Sequence, residues 1–225
     1  MHPRTVGRPP RRTPVRSSLA FQRNALQRSP QANAFTLIEL LVVIAIIAIL
    51  IGLLFPAFKA VQNQARQAQA KNDLTQIVNA VNAFYTEYGK YPVVTADTIY
   101  GPAANLNNLL FNELRATAAA TQNPRQIVFI SPPDVKNDTA GNRRSGVSPT
   151  TGQYYDTWGQ PYNVEIDGNY DNTVANPYTA NAGAAPNLQI GVIAWSLGKD
   201  GTGATAAASG DKNTGIYDDD VISWQ

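Results

Sequence analysis

Phe35-Thr36-Leu37-Ile38-Glu39 opens an apolar stretch that runs to Phe55 and holds a single charged residue, Glu39, near its start. Its length is about the 20 residues that a membrane-crossing helix needs. An ionisable group inside such a span costs roughly 2.5 to 3.5 kcal/mol on insertion scales. Glu39 therefore calls for compensation, and the rest of the chain is organised around this span.

Upstream, residues 1–34 carry seven arginines and no acid, with much Pro, Ser and Gln and no hydrophobic periodicity. They read as a disordered, positively charged segment held in the cytoplasm, and the asymmetry orients the following span. The apolar run is longer than an ordinary signal-peptide core and ends without a small-residue cleavage site, so it stays in the protein. Removing the seven arginines from the 18 basic residues leaves 11 against 16 acidic ones. The working part of the chain is therefore mildly acidic, and no nucleic-acid surface is expected. Cysteine is absent and the one histidine, His2, lies in the leader. Disulfides, thiolate or Ser-His-Asp catalysis and Cys- or His-ligated metal sites are excluded for the mature chain.

Downstream of Pro56, Val61, Ala65, Ala68, Leu74, Ile77, Val78, Val81, Phe84, Tyr85 and Tyr88 recur at helical spacing, with Lys59, Arg66, Lys71 and Asp73 off that stripe. One helix of about 55 residues is expected from Phe35 to Tyr88, kinked rather than ended by Pro56 and stopped by Gly89 and Pro92. Beyond it, residues 106–121 read as a second helix, and 126–130, 162–167 and 188–196 as strands of a small antiparallel sheet. The segments 132–155, 168–186 and 201–215 are loops rich in Asn, Gly, Thr, Pro, Ala or Ser. The domain plan is a leader over 1–34, a membrane half of the helix over 35–55, an amphipathic half over 56–91 and a head over 92–225 whose last part, 197–225, is a loop.

Ala34-Phe35-Thr36-Leu37-Ile38-Glu39-Leu40-Leu41, with the apolar run and Pro56, resembles the processing signal of type IV prepilins and type II secretion pseudopilins. The resemblance implies an α+β, pilin-like fold with the long N-terminal helix packed on a small antiparallel sheet. It implies that a prepilin peptidase cuts between Ala34 and Phe35 and methylates the new amino terminus. Most members carry Gly where this chain has Ala34. In this family the acid matching Glu39 is thought to pair with the amino terminus of a neighbouring subunit, which would neutralise a charge held in lipid.

Asp156-Thr157-Trp158-Gly159-Gln160-Pro161-Tyr162 is similar to the D-x-W-G-x-x-Y segment of major pseudopilins. Ser196-Leu197-Gly198-Lys199-Asp200-Gly201, with Asp219-Asp220-Val221-Ile222-Ser223-Trp224, resembles their C-terminal calcium loop. The resemblance implies Ca2+ held by Asp200, Asp219 and Asp220 with backbone carbonyls, and Asp218 as a further candidate. Calcium takes six to eight hard oxygen ligands in flexible geometry, which suits a loop-rich end without cysteine. The long insert containing Asp211 departs from the family pattern. The EF-hand-like start at Asp167 is rejected, because Asn172 stands at the turn glycine and Tyr178 at the bidentate acid. Trp158, Trp195 and Trp224 read as core rather than as a ligand platform, and Asp156 with Glu165 is not taken as a glycosidase pair.

The expected protein is a major pseudopilin, not an enzyme, spanning the bacterial inner membrane once with its head in the periplasm. Its expected partners are further copies of itself, minor pseudopilins, the peptidase and an assembly platform with an ATPase. The alternatives are a type IV pilin for adhesion, motility or DNA uptake, and a single-span envelope protein whose head binds a carbohydrate or another ligand.

Overall fold

The computed structural model describes residues 35–101, 106–178, 185–203 and 215–224. The leader, Ala34 and Asp211 lie outside them. The chain divides into two units, one up to Ile49 and one from Leu50 onward, and α1, Leu37–Tyr88, contributes residues to both. The arrangement is α+β and pilin-like, a long N-terminal helix whose later part packs on small antiparallel sheets.

Helix α1 begins two residues after Phe35 and runs through Pro56 without a break in its assignment. Proline removes one backbone donor, and the flanking Leu, Ile and Ala keep the helix going. It stops where expected, at Gly89, whose φ of 67° is the left-handed conformation that glycine adopts cheaply.

The buried face of α1 differs from the predicted stripe. It consists of Ala70, Asp73, Leu74, Ile77, Ala80, Val81 and Phe84. Val61, Ala65, Ala68 and Tyr85 are exposed, while Asp73, placed off the stripe by its charge, is buried because it accepts a hydrogen bond from the Tyr162 hydroxyl at 2.9 Å. Burial pushes the Asp73 carboxyl up, and the Tyr162 bond offsets part of that shift.

Four strands form the main sheet in the order β1–β4–β7–β8: β1 Thr98–Tyr100, β4 Asn163–Ile166, β7 Val192–Ser196 and β8 Val221–Ile222, all antiparallel. One face carries Tyr100, Val164, Ile166, Val192 and Ala194 against Leu74, Ile77, Val81 and Phe84 of α1. The other carries Ile193, Trp195 and Ile222 against Val174, Tyr178 and Leu197. Two short ribbons complete the head, β2 Gly146–Val147 with β3 Tyr154–Tyr155 and β5 Val174–Ala175 with β6 Asn187–Leu188.

Three expected elements are corrected. The second helix, α2, spans only Asn108–Leu114. The buried Glu113 carboxylate captures the N–H groups of Thr121 and Gln122, at 2.6 and 2.8 Å, and Ala116 turns left-handed, so the chain folds back instead of continuing. Residues 126–130 form no strand. Gln126 has φ 51°, and the N–H groups of Phe129 and Ile130 both donate to the Leu114 carbonyl, which leaves no ladder to build. The expected strand over 188–196 is divided by a bend at 189–191.

Candidate functional site

At the N-terminal end, Thr36 and Glu39 close on each other. The Thr36 N–H donates to Glu39 Oε2 at 2.9 Å, the Thr36 hydroxyl donates to the same oxygen at 2.7 Å, and the Glu39 N–H donates to Thr36 Oγ1 at 3.3 Å. This is a reciprocal capping box, with the acid at the third helical position, where it also faces the positive end of the helix dipole. Sequence reasoning treated Glu39 as lacking compensation within its own chain and passed over Thr36. The Thr-x-x-Glu spacing was the signal for it. The flanking apolar side chains are exposed, Phe35 at 76% and Leu37 at 87% among them, and the helix is long and apolar enough to cross a membrane.

The second candidate site lies in the head. Asp156 sits at the start of a tight turn, and its Oδ1 accepts the N–H groups of Trp158, Gly159 and Gln160 at 2.9, 2.7 and 2.8 Å. Its other oxygen accepts the Ser196 hydroxyl, and Ser196 Oγ accepts the Gly198 N–H at 3.1 Å. The D-x-W-G and S-L-G-K-D-G segments, 40 residues apart at these bonds, are thus physically joined. Burial pushes the Asp156 carboxyl up, against the pull of these four donors.

The register of β7 with β8, Trp195 opposite Ile222 and Ser196 opposite Val221, then brings the acidic loop to the same place. Gly198, at φ 63°, lies so close to Asp219 that a Cβ would come within 2.5 Å of its carbonyl oxygen. The N–H groups of Lys199 and Asp200 donate to Asp219 Oδ2 at 2.6 and 3.1 Å. Asp220 is buried and accepts the Tyr178 hydroxyl at 2.5 Å. Asp200 and Asp218 are exposed, and Asp200 Oδ1 accepts the Thr202 N–H at 2.7 Å.

Asp200, Asp219 and Asp220 therefore share one loop cluster, although no three acidic, His or Cys side chains converge on one point among the described residues. Asp219 Oδ1 is buried with no hydrogen-bond partner. An acceptor so placed has unused capacity for a ligand, and together with the hard carboxylate donors of the cluster it fits a Ca2+ ion in kind. Beside the cluster, the Lys71 ammonium of α1 donates to the Ile222 carbonyl at 2.7 Å and ties the last strand to the helix.

Among the tryptophans, Trp195 is fully buried, and Trp158 and Trp224 are partly so. The turn after Asp167 is a side-chain-capped loop: the Asp167 carboxylate accepts the Tyr170 and Asn172 N–H groups at 2.6 and 2.7 Å.

A model of the prokaryotic N-terminal methylation motif matches residues 30–55. No curated protein and no solved structure matches the chain. The chain carries a type IV prepilin-like processing motif at the head of a helix capable of anchoring it in a membrane.

Proposed function

We propose that this protein is a structural filament subunit, the major pseudopilin of a type II secretion system, that polymerises into a periplasmic pseudopilus and drives export of folded proteins. The observation that carries the reading is the processing motif over residues 30–55, whose exposed apolar span from Phe35 to Phe55 holds a single acid, Glu39. Cleavage between Ala34 and Phe35 frees an amino terminus one residue before Thr36. In the lone subunit Thr36 satisfies Glu39; in the filament the freed, methylated terminus of a neighbour takes over the carboxylate. Exchanging a neutral partner for a cationic one in lipid favours assembly. Partners are other copies, minor pseudopilins, the prepilin peptidase and an inner-membrane platform with its ATPase.

The choice of secretion over a retractile pilus is supported by the joining of the Asp156 turn to the 196–200 turn and the acidic loop. Ca2+ would be held there by Asp219 and Asp200, with Asp220 and Asp218 on the same loop, and its chemistry would be structural, the fixing of the loop ends to each other. Two experiments test the reading. Glu39→Leu should insert and be processed yet yield no sheared filaments; normal filaments from that variant would remove the role of Glu39. Deleting the gene should abolish export of folded enzymes into the medium, whereas lost surface motility with intact export would assign the chain to a pilus instead.

A further inference from the structure

Beside the C-terminal end of α1, a cleft of about 340 Å³ opens between the helix, the bend before β7 and the last residues of the chain. Its polar groups are uncharged: Asn82, Tyr91, Asn172, Gln189 and Ser223, with Trp224 at one side. No Asp, Glu, Lys or Arg lines it among the described residues. The Tyr91 ring lies against Tyr85, at 4.6 Å between centroids and 29° between planes, and against Tyr170, at 5.6 Å and 12°. Tyr85 and Tyr170 remain exposed at 41% and 48%, so a set of aromatic surfaces adjoins a neutral, hydrogen-bonding cleft.

The groups are held in place rather than loosely displayed. Tyr170 and Asn172 have φ of 65° and 59°, a conformation that side-chain-bearing residues adopt at a cost. The Asp167 carboxylate imposes it through the N–H groups of both residues. The Tyr91 N–H donates to the Tyr170 hydroxyl at 3.0 Å and fixes one ring against the other. At Gly191 a Cβ would lie 2.2 Å from the Tyr91 hydroxyl, so glycine leaves that hydroxyl its position at the cleft. The side-chain amides of Asn82 and Asn172 bond to no other described residue; the bonds these residues make are through the backbone.

We propose that this cleft binds a neutral oligosaccharide. Side-chain amides each offer a donor and an acceptor, which match the paired hydroxyls of a sugar, and aromatic rings present faces to its apolar C–H surface. The uncharged lining gives no partner to a phosphate, a uronic acid or a cation, all of which would lose solvation on entering. A cavity of this size lies at the small end of ligand sites and suits one or two sugar rings. Asn82, Tyr91, Asn172 and Gln189 lie outside the processing motif and the calcium-loop motif, and only Ser223 and Trp224 at the rim belong to the latter, so the inference does not rest on the proposed filament role.

The test uses the full chain purified in lauryldimethylamine oxide, a detergent without a sugar headgroup. Maltohexaose, cellohexaose and chitohexaose are titrated separately by calorimetry, with polygalacturonate as the charged counter-probe. At least one neutral hexamer should bind saturably with Kd on the order of 0.1–1 mM, and polygalacturonate should not. Asn82→Ala removes only an exposed amide and should keep the wild-type melting temperature while weakening binding about tenfold; Tyr170→Ala should weaken it by at least as much. The proposal is overturned by saturation with none of the three hexamers up to about 10 mM. Equal binding of polygalacturonate, or an unchanged Kd in the folded Asn82→Ala protein, overturns it as well.

Discussion

Glu165 is a buried acid whose surroundings disfavour its charge. It lies in the central strand β4, between Ile99 and Ile193 of the neighbouring strands, with Asn163 two residues away. Its Oε1 accepts the Ala175 N–H at 3.2 Å, and Oε2 has no hydrogen-bond partner. Burial, with a smaller contribution from Asp97, pushes its carboxyl up from 4.5 to about 7 despite the Ala175 bond. The folded state thus prefers neutral Glu165. Its stability is whole below pH 4.5, declines as the pH rises from there to about 7, and is level above; the loss from this residue is on the order of 3 kcal/mol. Glu165→Gln should therefore melt several degrees above wild type at pH 8 and show no gain at pH 4.5. Because burial also raises Asp73 and Asp156, the measurement is the difference between variant and wild type across pH. Parallel melting curves would show that Glu165 ionises without cost. The burial of Glu165 was not legible in the sequence, because a buried acid inside a strand looks like any alternation of polar and apolar residues. The Asp156 turn, by contrast, was legible as a motif.

At the scale of elements, α1 behaves as two helices in one: a part with every apolar side chain exposed and a part with a packed stripe. Phe84 is fully buried and meets the rings of Tyr88 and Phe129 at 4.6 and 5.3 Å. Phe84→Ala should cost about 3–5 kcal/mol through lost burial and a cavity. Phe58, on the same helix but 59% exposed, is its control: Phe58→Ala should change the stability of the isolated subunit by less than about 0.5 kcal/mol. Thermal melts of the two variants in detergent compare them directly, and equal effects would contradict the assigned packing face. The helix and its stop at Gly89 were readable from length, apolar period and one glycine. The strands were less so, since β2, β3, β5, β6 and β8 are two residues each and too short for alternation to register. The stripe was misread at Asp73 because charge alone suggested solvent, whereas a tyrosine hydroxyl from residue 162 supplies the partner. No local pattern announces a bond across 89 residues.

At the scale of the whole molecule, the acidic loop is the place where a bound ion would matter most. Asp219 packs on Gly198 and holds the turn at 199–200, Asp220 bonds Tyr178, and β8 closes the sheet. An ion that binds only the folded chain stabilises it by about 2.7 kcal/mol when present at 100 times its Kd. The full chain in detergent should thus melt several degrees higher in millimolar Ca2+ than in EGTA, and Asp219→Asn should remove most of that increment. An identical melting temperature in both would reject a stabilising calcium site. The residues of this cluster were legible through the motifs they belong to; their joining by Ser196 and by the β7–β8 register was not, because it depends on which strands become neighbours.

That register also has a consequence for synthesis. The α1 stripe from Leu74 to Phe84 is covered by residues as distant as Val192 and Ala194, and the sheet that covers it is completed by Ile222. At about 5–20 residues per second, roughly 5 to 20 seconds separate the making of the stripe from the making of its cover. During that interval the chain presents a long helix with a bare apolar flank, open to chaperones, to proteases and to other nascent copies. Strand β7, with Val192 and Ala194, sets the moment at which this exposure ends.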